Sequence, residues 1–221
     1  MKIQLAASSI LSLLSIFLPL HAAETTLVTD SPASNASALV PTAGNGGNGL
    51  STAEWTNVAS PPNAASWISG TTGVGYETSP SSGTSYAALL GLDLRAQMQN
   101  RSTTAYIRVP FSVDALTLAS TRGLFLDMKY DDGFIAYLNG VRVTAANAPA
   151  QPGPSSAASS NNSDSRALQF EQFDLSSFLP LLNPGANMLA IHGLNDGAGS
   201  SDFLIVPRLI ASDATPPVWP D

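Results

Sequence analysis

The chain has 221 residues, a formal net charge of −7 and no cysteine. Without cysteine there are no disulfides, thiolate zinc sites or cysteine nucleophiles, so a packed core or bound ions must stabilise an exported domain. An acidic chain with only nine dispersed Lys and Arg residues is poorly suited to nucleic acid or to anionic lipid. Composition therefore disfavours both as partners.

The N-terminus has the pattern of a secretory signal peptide, residues 1–23. Lys2 provides a short positive region, residues 5–20 are apolar, and small residues then offer a cleavage site. An uncleaved anchor is the alternative, but the run is shorter than a ~20-residue span and contains Pro19. We therefore expect a chain that is secreted, or held at the cell surface or in the periplasm, without membrane insertion after signal removal.

Composition also marks the domain boundaries. Residues 24–49 are rich in Ser, Thr, Ala, Asn and Gly and predict a flexible lead-in. Residues 212–221 predict a Pro-rich linker or tail. One domain is expected over residues 50–211, with a long surface loop at residues 145–166.

Within that domain the apolar residues repeat with period two. Ile107, Val109 and Phe111 alternate with more polar neighbours, which is typical of a half-buried strand. Pro110 places part of this strand at an edge or a bulge, because proline cannot donate a ladder hydrogen bond. Little of the chain suits a helix, so we predict an all-β, antiparallel β-sandwich of the jelly-roll type with at most short helices. Other strand-like runs cover residues 123–130, 133–138, 141–144, 168–175, 187–194 and 202–210, and residues 92–98 and 175–182 suit short helices.

Two turn signals lie close together. Asn139-Gly140 is a strong two-residue hairpin signal. Asp131-Asp132-Gly133 also has turn chemistry, because Asp can hydrogen-bond its own backbone and Gly permits a positive φ. We therefore predict a three-stranded meander with these two turns, and a metal or other site at the aspartates is the alternative interpretation.

Five motifs follow one another in a recognisable order. They are SWISGTTGVGYE (66–77), AYIRVPFSV (105–113), KYDDGFIAYLNGVRV (129–143), FDLSSFLPLLNPGANMLAIHGLN (173–195) and SSDFLIVPRL (200–209). This order resembles the galactose-binding-like jelly-roll modules of large secreted proteins from planctomycetes and verrucomicrobia, which neighbour lamin-tail-like or spore-coat-protein-H-type domains. A looser resemblance is to the largely structural sugar-binding jelly roll that precedes the catalytic barrel of β-galactosidases and β-glucuronidases. The resemblance implies a bacterial extracellular module with neighbouring extracellular domains as partners.

Catalytic chemistry finds little support. His192 is the one histidine left after signal removal, and it lies in a strand-like run with no nucleophile elbow nearby. Glycoside hydrolysis needs two carboxyl groups in a cleft. Asp131/Asp132 and Asp196/Asp202 supply such pairs, but every one has turn context. We predict that the chain is not an enzyme.

Calcium is the one cofactor for which the sequence offers candidate ligands. It takes six to eight oxygen ligands from loops, and Asp131, Asp132, Asp196 and Asp202 are the candidate ligands. The ligand spacing of an EF-hand is absent. The alternative interpretation is a Gly/Ser/Asp hairpin loop in which Asp202 caps the next strand.

Carbohydrate is the preferred ligand. Trp55, Tyr76 and Tyr86 are the aromatic residues proposed to stack on sugar rings, and Arg108 and Asn195 are the polar partners for hydroxyl groups. Burial in the core is the competing interpretation for these aromatic residues. We predict a secreted, non-catalytic module that binds a glycan or cell-surface polymer, and the alternative is a purely structural spacer that positions neighbouring domains.

Overall fold

The computed structural model describes residues 23–30, 33–80 and 84–215. Most of the predicted signal peptide and residues 216–221 of the predicted tail lie outside these residues. Among the described helices, none has the length and apolar character needed to cross a membrane. The two sheets pair antiparallel throughout except for one short parallel contact, which confirms the predicted β-sandwich with short helices.

The strands follow one another along the whole described chain. In order they are β1 (Glu24–Val28), β2 (Asn35–Leu39), β3 (Ile68–Thr71), β4 (Val74–Glu77), β5 (Leu92–Asp93), β6 (Thr104–Val113), β7 (Gly123–Asp131), β8 (Gly133–Leu138), β9 (Val141–Ala146), β10 (Glu171–Asp174), β11 (Gly185–Leu194) and β12 (Asp202–Ser212). Sheet I has the order β10-β7-β12-β4-β5, with β1 also paired to β12, and sheet II has the order β3-β2-β6-β11-β8-β9.

The helical segments are all short. They are α1 (Thr52–Thr56), α2 (Arg95–Met98), α3 (Ala115–Ser120) and α4 (Asp164–Ala167), with 3₁₀ turns at Gly47–Gly49, Ala64–Ser66, Ala87–Leu89 and Ser176–Leu181. No strand or helix lies between Ala146 and Asp164, the region predicted as a long loop.

The main core lies between the two sheets and follows the predicted alternation. Leu124, Leu126 and Met128 of β7 are fully buried there, and Ile107 and Val109 of β6 meet them from the other sheet. Because successive side chains of a strand point to opposite faces, the residues between them lie on the outer faces of the sandwich. Both outer faces carry further packed clusters, and these position the polar residues described below.

Two prolines lie inside long strands at places where one neighbour is missing. β2 pairs with β6 only at residues 106–108, so Pro110 has no strand on that side. In β12, Pro207 falls between residues 202–205, which pair with β4, and residues 209–212, which pair with β1. Neither position has a neighbour waiting for the N–H that proline lacks. The expectation that Pro110 lies at a local edge therefore agrees with the register.

The prediction of a flexible lead-in at residues 24–49 is wrong. β1 pairs with β12, and β2 lies between β3 and β6. Val28 and Ala38 are fully buried in the main core. These strands were not recognised in the sequence because alanine, serine and threonine give little contrast in hydrophobicity between the two faces of a strand. Pairing with long neighbouring strands nevertheless holds the segment in place.

The Asn139-Gly140 hairpin is confirmed. β8 and β9 pair up to Leu138 and Val141, so the two turn residues connect them directly. Asn139 has φ 49° and Gly140 has φ 91°, the positive values that a two-residue hairpin of this kind requires.

The predicted meander around Asp131-Asp132-Gly133 is wrong. β7 belongs to sheet I and β8 to sheet II, so the aspartates carry the chain from one layer to the other. Gly133 is not needed for a positive φ. A Cβ atom there would lie 2.6 Å from the carbonyl oxygen of Asn147, so a close backbone approach requires the glycine.

Candidate cation site and end groove

Three aspartates meet on the outer face of sheet I. Asp131 ends β7 opposite Leu204 of β12, and Asp202 lies two residues before Leu204, so both carboxylates point to one face. Asp164 begins α4, which covers this face. Carboxylate oxygens of the three residues all lie within 4.8 Å of one another. We call this group the acidic cluster, and its donor set could hold a metal ion.

The acidic cluster has no cationic partner among the described residues. Its members take part in neither of the two ion pairs found there, Arg166–Glu171 and Arg208–Asp127. Asp131 is only 3% exposed and Asp202 only 8%. Carboxylates that are removed from water need a proton or a cation nearby.

Burial has a large effect on the ionisation of the acidic cluster. It raises the pKa of Asp131 to about 9, with further increases from a hydrogen bond and the charge of Asp132 and from the charge of Asp202. Burial also raises the pKa of Asp202 above its usual range. In the absence of a cation, the protein therefore favours a protonated form of at least one of these groups.

Tyr86 points its hydroxyl group at the acidic cluster. The side chain is fully buried, and the Tyr86 hydroxyl has no hydrogen-bond partner of acceptable geometry. Burial raises the pKa of Tyr86, followed by the charge of Asp131 and by a contact with its carboxyl group that falls short of normal hydrogen-bond geometry, with smaller effects from Asp164 and Asp202. A buried hydroxyl without a partner is costly, so this one marks a place where a polar group is expected.

Tyr76 and Asn195 support the neighbouring loop. The Tyr76 hydroxyl donates to the carbonyl oxygen of Ser200 (3.1 Å) and accepts from Nδ2 of Asn195 (3.2 Å). Nδ2 of Asn195 also donates to the carbonyl oxygen of Asp202 (2.8 Å). These contacts hold residues 195–202 beside the acidic cluster.

Asp132 and Asp196 do not join the acidic cluster. The Asp132 carboxylate accepts backbone N–H groups from Asn162 (2.9 Å) and Asp196 (2.8 Å), and its own carbonyl accepts from Nδ2 of Asn147 (2.9 Å). Asp132 therefore ties three loops together. Burial raises the pKa of Asp196, followed by the effects of Asp132, although the Asp196 side chain lies at the surface. Of the four predicted metal ligands, the structure groups Asp131 with Asp202 and leaves Asp132 and Asp196 outside the cluster, and their role as metal ligands stays a prediction.

On sheet II, Arg108 holds the segment that follows α1. The Arg108 guanidinium donates to the carbonyl oxygens of Trp55 (2.8 Å) and Ala59 (2.8 Å), and it lies 5.8 Å from the centre of the Trp67 ring. Only 5% of Arg108 is exposed. Its hydrogen bonds fix the covering segment to the sheet and leave no free face for a sugar.

Trp55 is the centre of an aromatic cluster on the same face. Its ring stacks on Tyr106 at 4.3 Å between centroids and meets the edges of Tyr137 and His192. Burial lowers the pKa of His192 to about 4, so this histidine is neutral in the folded protein at neutral pH. A depression of about 170 Å³ lies above the cluster, but the tryptophan beneath it is 2% exposed.

The sequence prediction of a sugar site at Trp55, Tyr76, Tyr86, Arg108 and Asn195 is therefore wrong. All five side chains are buried, two of them on the outer face of sheet II and three beside the acidic cluster. Stacking on a sugar requires an accessible ring face, and packing has taken these rings out of reach. Burial, the competing interpretation, is what the structure shows for these side chains.

A larger cavity lies at the end of the sandwich where β2 ends and β6 begins. It has a volume of about 690 Å³, and we call it the end groove. The guanidinium of Arg101 has no hydrogen-bond or ion-pair partner among the described residues. Oε1 of Gln97 is buried and likewise has no partner there. The end groove is lined by Val40, Pro41, Thr42, Ala43, Asn45, Asn48, Ala96, Gln97, Arg101, Ser102, Thr103, Pro154, Ser155 and Ala198.

Sequence reasoning missed one member of the acidic end of sheet I and gave another a different partner. Asp164 lies in the predicted loop, 33 residues from Asp131 and 38 from Asp202 by numbering, and no spacing rule connects such distant positions. Tyr86 was identified as a functional residue, but with a sugar as its partner. The end groove was missed entirely, because residues 40–48 had been assigned to a flexible lead-in.

Comparisons with known proteins add a general setting. No protein-family model matches the chain, and no curated protein matches it in sequence. Similar solved structures include a β-glucuronidase of Ruminococcus gnavus, with 12% identity and a TM-score of 0.44 over 88% of this chain and 30% of that chain. Others are a β-glucuronidase of uncultured Clostridium sp. (11%, 0.46, 91% and 31%) and a β-D-mannosidase of Dictyoglomus thermophilum (18%, 0.30, 47% and 10%).

The chain thus spans less than a third of the length of each of these structures. The β-sandwich fold is shown, whereas the resemblance to modules of planctomycetes and verrucomicrobia stays a prediction.

Proposed function

We propose that this chain is a secreted, non-catalytic β-sandwich module that binds a carbohydrate or a cell-surface polymer in the end groove. The observation that carries this proposal is the chemistry of the groove lining. Amide, hydroxyl and guanidinium side chains face a cavity of about 690 Å³ there. These are the groups that recognise sugar hydroxyls, and a cavity of this volume accommodates a small ligand.

The same lining argues against hydrolysis. Acid–base cleavage of a glycoside requires a pair of carboxyl groups separated by roughly 5–10 Å. Neither a carboxylate nor a histidine is present among the described residues that line the end groove. The acidic cluster is a poor alternative, because its oxygens lie within 4.8 Å of one another and two of its members are buried.

Two groups give the end groove its specificity. Arg101 offers a guanidinium with several unused donors, which suits a hydroxyl pair or a carboxylate on the ligand. Oε1 of Gln97 offers an unused acceptor for a ligand hydroxyl. A ligand that uses both would satisfy a buried polar atom, and this increases its selectivity over ligands that cannot.

A structural spacer is the second candidate, and a specific observation favours it. None of the aromatic side chains in the described residues is in the exposed class, so the stacking platform that is typical of sugar-binding sandwiches is lacking there. In that case the module would position neighbouring extracellular domains without a ligand of its own.

Binding to a glycan array and to insoluble cell-surface polymers separates the two candidates. We expect the exported chain to bind at least one saccharide class, and Arg101→Ala to weaken that binding about tenfold or more. Arg142→Ala is the matched control, because Arg142 is exposed on β9 and does not line the end groove. Absence of binding by the unmodified chain would favour the spacer, and equal losses in both variants would place the saccharide outside the end groove.

A further inference from the structure

We propose that Asp131, Asp164 and Asp202 bind one divalent cation at the end of sheet I, and that calcium is the ion that fits best. This site is independent of the end groove and of any saccharide. It replaces the ligand set predicted from sequence, because the Asp132 carboxylate accepts two backbone N–H groups and the Asp196 side chain lies at the surface outside the cluster.

The first argument for calcium is the spacing of the carboxylate oxygens that would bind it. Calcium binds oxygen ligands at about 2.3–2.6 Å, so two ligands on opposite sides of the ion are about 5 Å apart. The three carboxylate oxygens lie within 4.8 Å of one another, so all three can reach one ion. Magnesium demands a stricter octahedron and gives up its water reluctantly, so three carboxylates from separate elements suit calcium better. The acidic cluster contains no histidine, and the chain has no cysteine, so the soft ligands that zinc prefers are missing.

The unpartnered hydroxyl of Tyr86 is the second, independent observation. Tyr86 is fully buried, and its hydroxyl faces the three carboxylates without completing a hydrogen bond. Side chains in a packed interior satisfy such groups unless something else occupies the place. A hydrated cation supplies what is missing, because a metal-bound water can donate to the phenol oxygen while the ion balances the carboxylates.

The surroundings hold the three ligands in place. Hydroxyl groups of Ser200 and Ser201 lie 3.1 Å and 3.4 Å from the two carboxylate oxygens of Asp202. Asp131 and Asp202 stand on neighbouring strands of one sheet, so their separation is fixed by the register. Asp164 is the adaptable member, because it reaches the cluster from the short helix α4 and is only partly buried.

A thermal melt of the exported chain in CaCl2 and in chelator tests the site. A ligand that binds only the folded state stabilises it by mass action, so a hundredfold excess over the dissociation constant should raise the melting temperature by roughly 5–10 °C. MgCl2 should produce a smaller rise. Equal melting temperatures in calcium and in chelator would overturn the proposal.

Substitutions then locate the ion. Asp164→Asn should remain folded in chelator and lose most of the calcium-dependent rise. Asp174→Asn is the matched control, because it removes one charge at the other end of the β7–β10 pairing and asparagine can still accept from the backbone of Ser176. Asp196→Asn should also keep the rise, which distinguishes this site from the set predicted by sequence. A full rise in Asp164→Asn would contradict the assignment.

Asp131→Asn is a second variant in case Asp164→Asn does not fold. It removes one ligand oxygen while it keeps the shape of the side chain, so in chelator it should melt no lower than the unmodified chain, and calcium should no longer raise its melting temperature. Retention of the calcium effect in Asp131→Asn would overturn the proposal.

Discussion

The outer faces of the two sheets carry polar groups of very different kinds. On sheet II, Arg108 spends its guanidinium on backbone carbonyls, and Trp55 is packed against three rings. On sheet I, three carboxylates meet without a cationic side chain among the described residues, and the Tyr86 hydroxyl beside them has no completed hydrogen bond. A buried polar group with all its partners present has a structural role, whereas a group without partners points to a missing ligand.

The largest expected effect on stability comes from a substitution in the packed outer face of sheet II. Trp55→Ala should lower the free energy of unfolding by about 4 kcal/mol, because a buried ring that contacts Tyr106, Tyr137 and His192 is removed. Urea denaturation measures this change. Val58→Ala is a control on the same covering segment, because Val58 is 41% exposed and should change stability by less than about 1 kcal/mol. If the Trp55→Ala variant had normal stability, packing would not account for this ring, and Trp55 would again be a candidate ligand-binding residue.

The next effect concerns pH on the same face. His192 has a pKa near 6.5 when unfolded and about 4 when folded, because burial disfavours its charged form. The unfolded chain therefore binds more protons between these values, and the contribution of His192 is complete above pH 6.5 and is lost as pH falls through about 4. At about 1.4 kcal/mol per pKa unit the loss is about 3 kcal/mol.

The measurement is urea denaturation of the unmodified chain and of His192→Gln between pH 7 and pH 4. The stability difference between the two proteins should shift by about 3 kcal/mol in favour of His192→Gln as the pH falls. The subtraction removes the carboxylates, which both proteins share. A difference that does not change with pH would show that His192 is accessible to water and that the cover over this face is loose.

The smallest effect compares two fully buried tyrosines, Tyr76 and Tyr86. The Tyr76 hydroxyl donates to Ser200 and accepts from Asn195, so Tyr76→Phe should cost about 1–2 kcal/mol in chelator. The Tyr86 hydroxyl has no such partner, so Tyr86→Phe should cost less than about 0.5 kcal/mol under the same conditions. Equal losses in the two variants would mean that the Tyr86 hydroxyl is already satisfied without an ion.

The sequence predicted the elements whose residues alternate clearly. β6 and the β8–β9 hairpin follow from period two and from Asn139-Gly140. β1 and β2 could not be recognised, because Ala36 and Ala38 are buried without being strongly apolar. The turn at Asp131-Asp132 was visible as a change of direction, but turn chemistry carries no information about which sheet the next strand joins.

The candidate sites were harder to predict for the same reason. Asp131 and Asp202 could be named from their residue type, whereas Asp164 reaches them only because α4 packs over sheet I. The predicted sugar residues failed because aromatic side chains in a β-sandwich are as useful to packing as to binding. Burial distinguishes a packing role from a binding role. For residues 50–90, however, burial does not follow from an alternating pattern in the sequence.

Calorimetric titration with calcium is the most direct test of the contrast between the two faces. The unmodified chain should bind one calcium ion, and a variant with both Asp131→Asn and Asp164→Asn should bind none while it keeps the fold of the unmodified chain in chelator. Absence of binding by the unmodified chain, or undiminished binding by the double variant, would contradict a cation site at the end of sheet I.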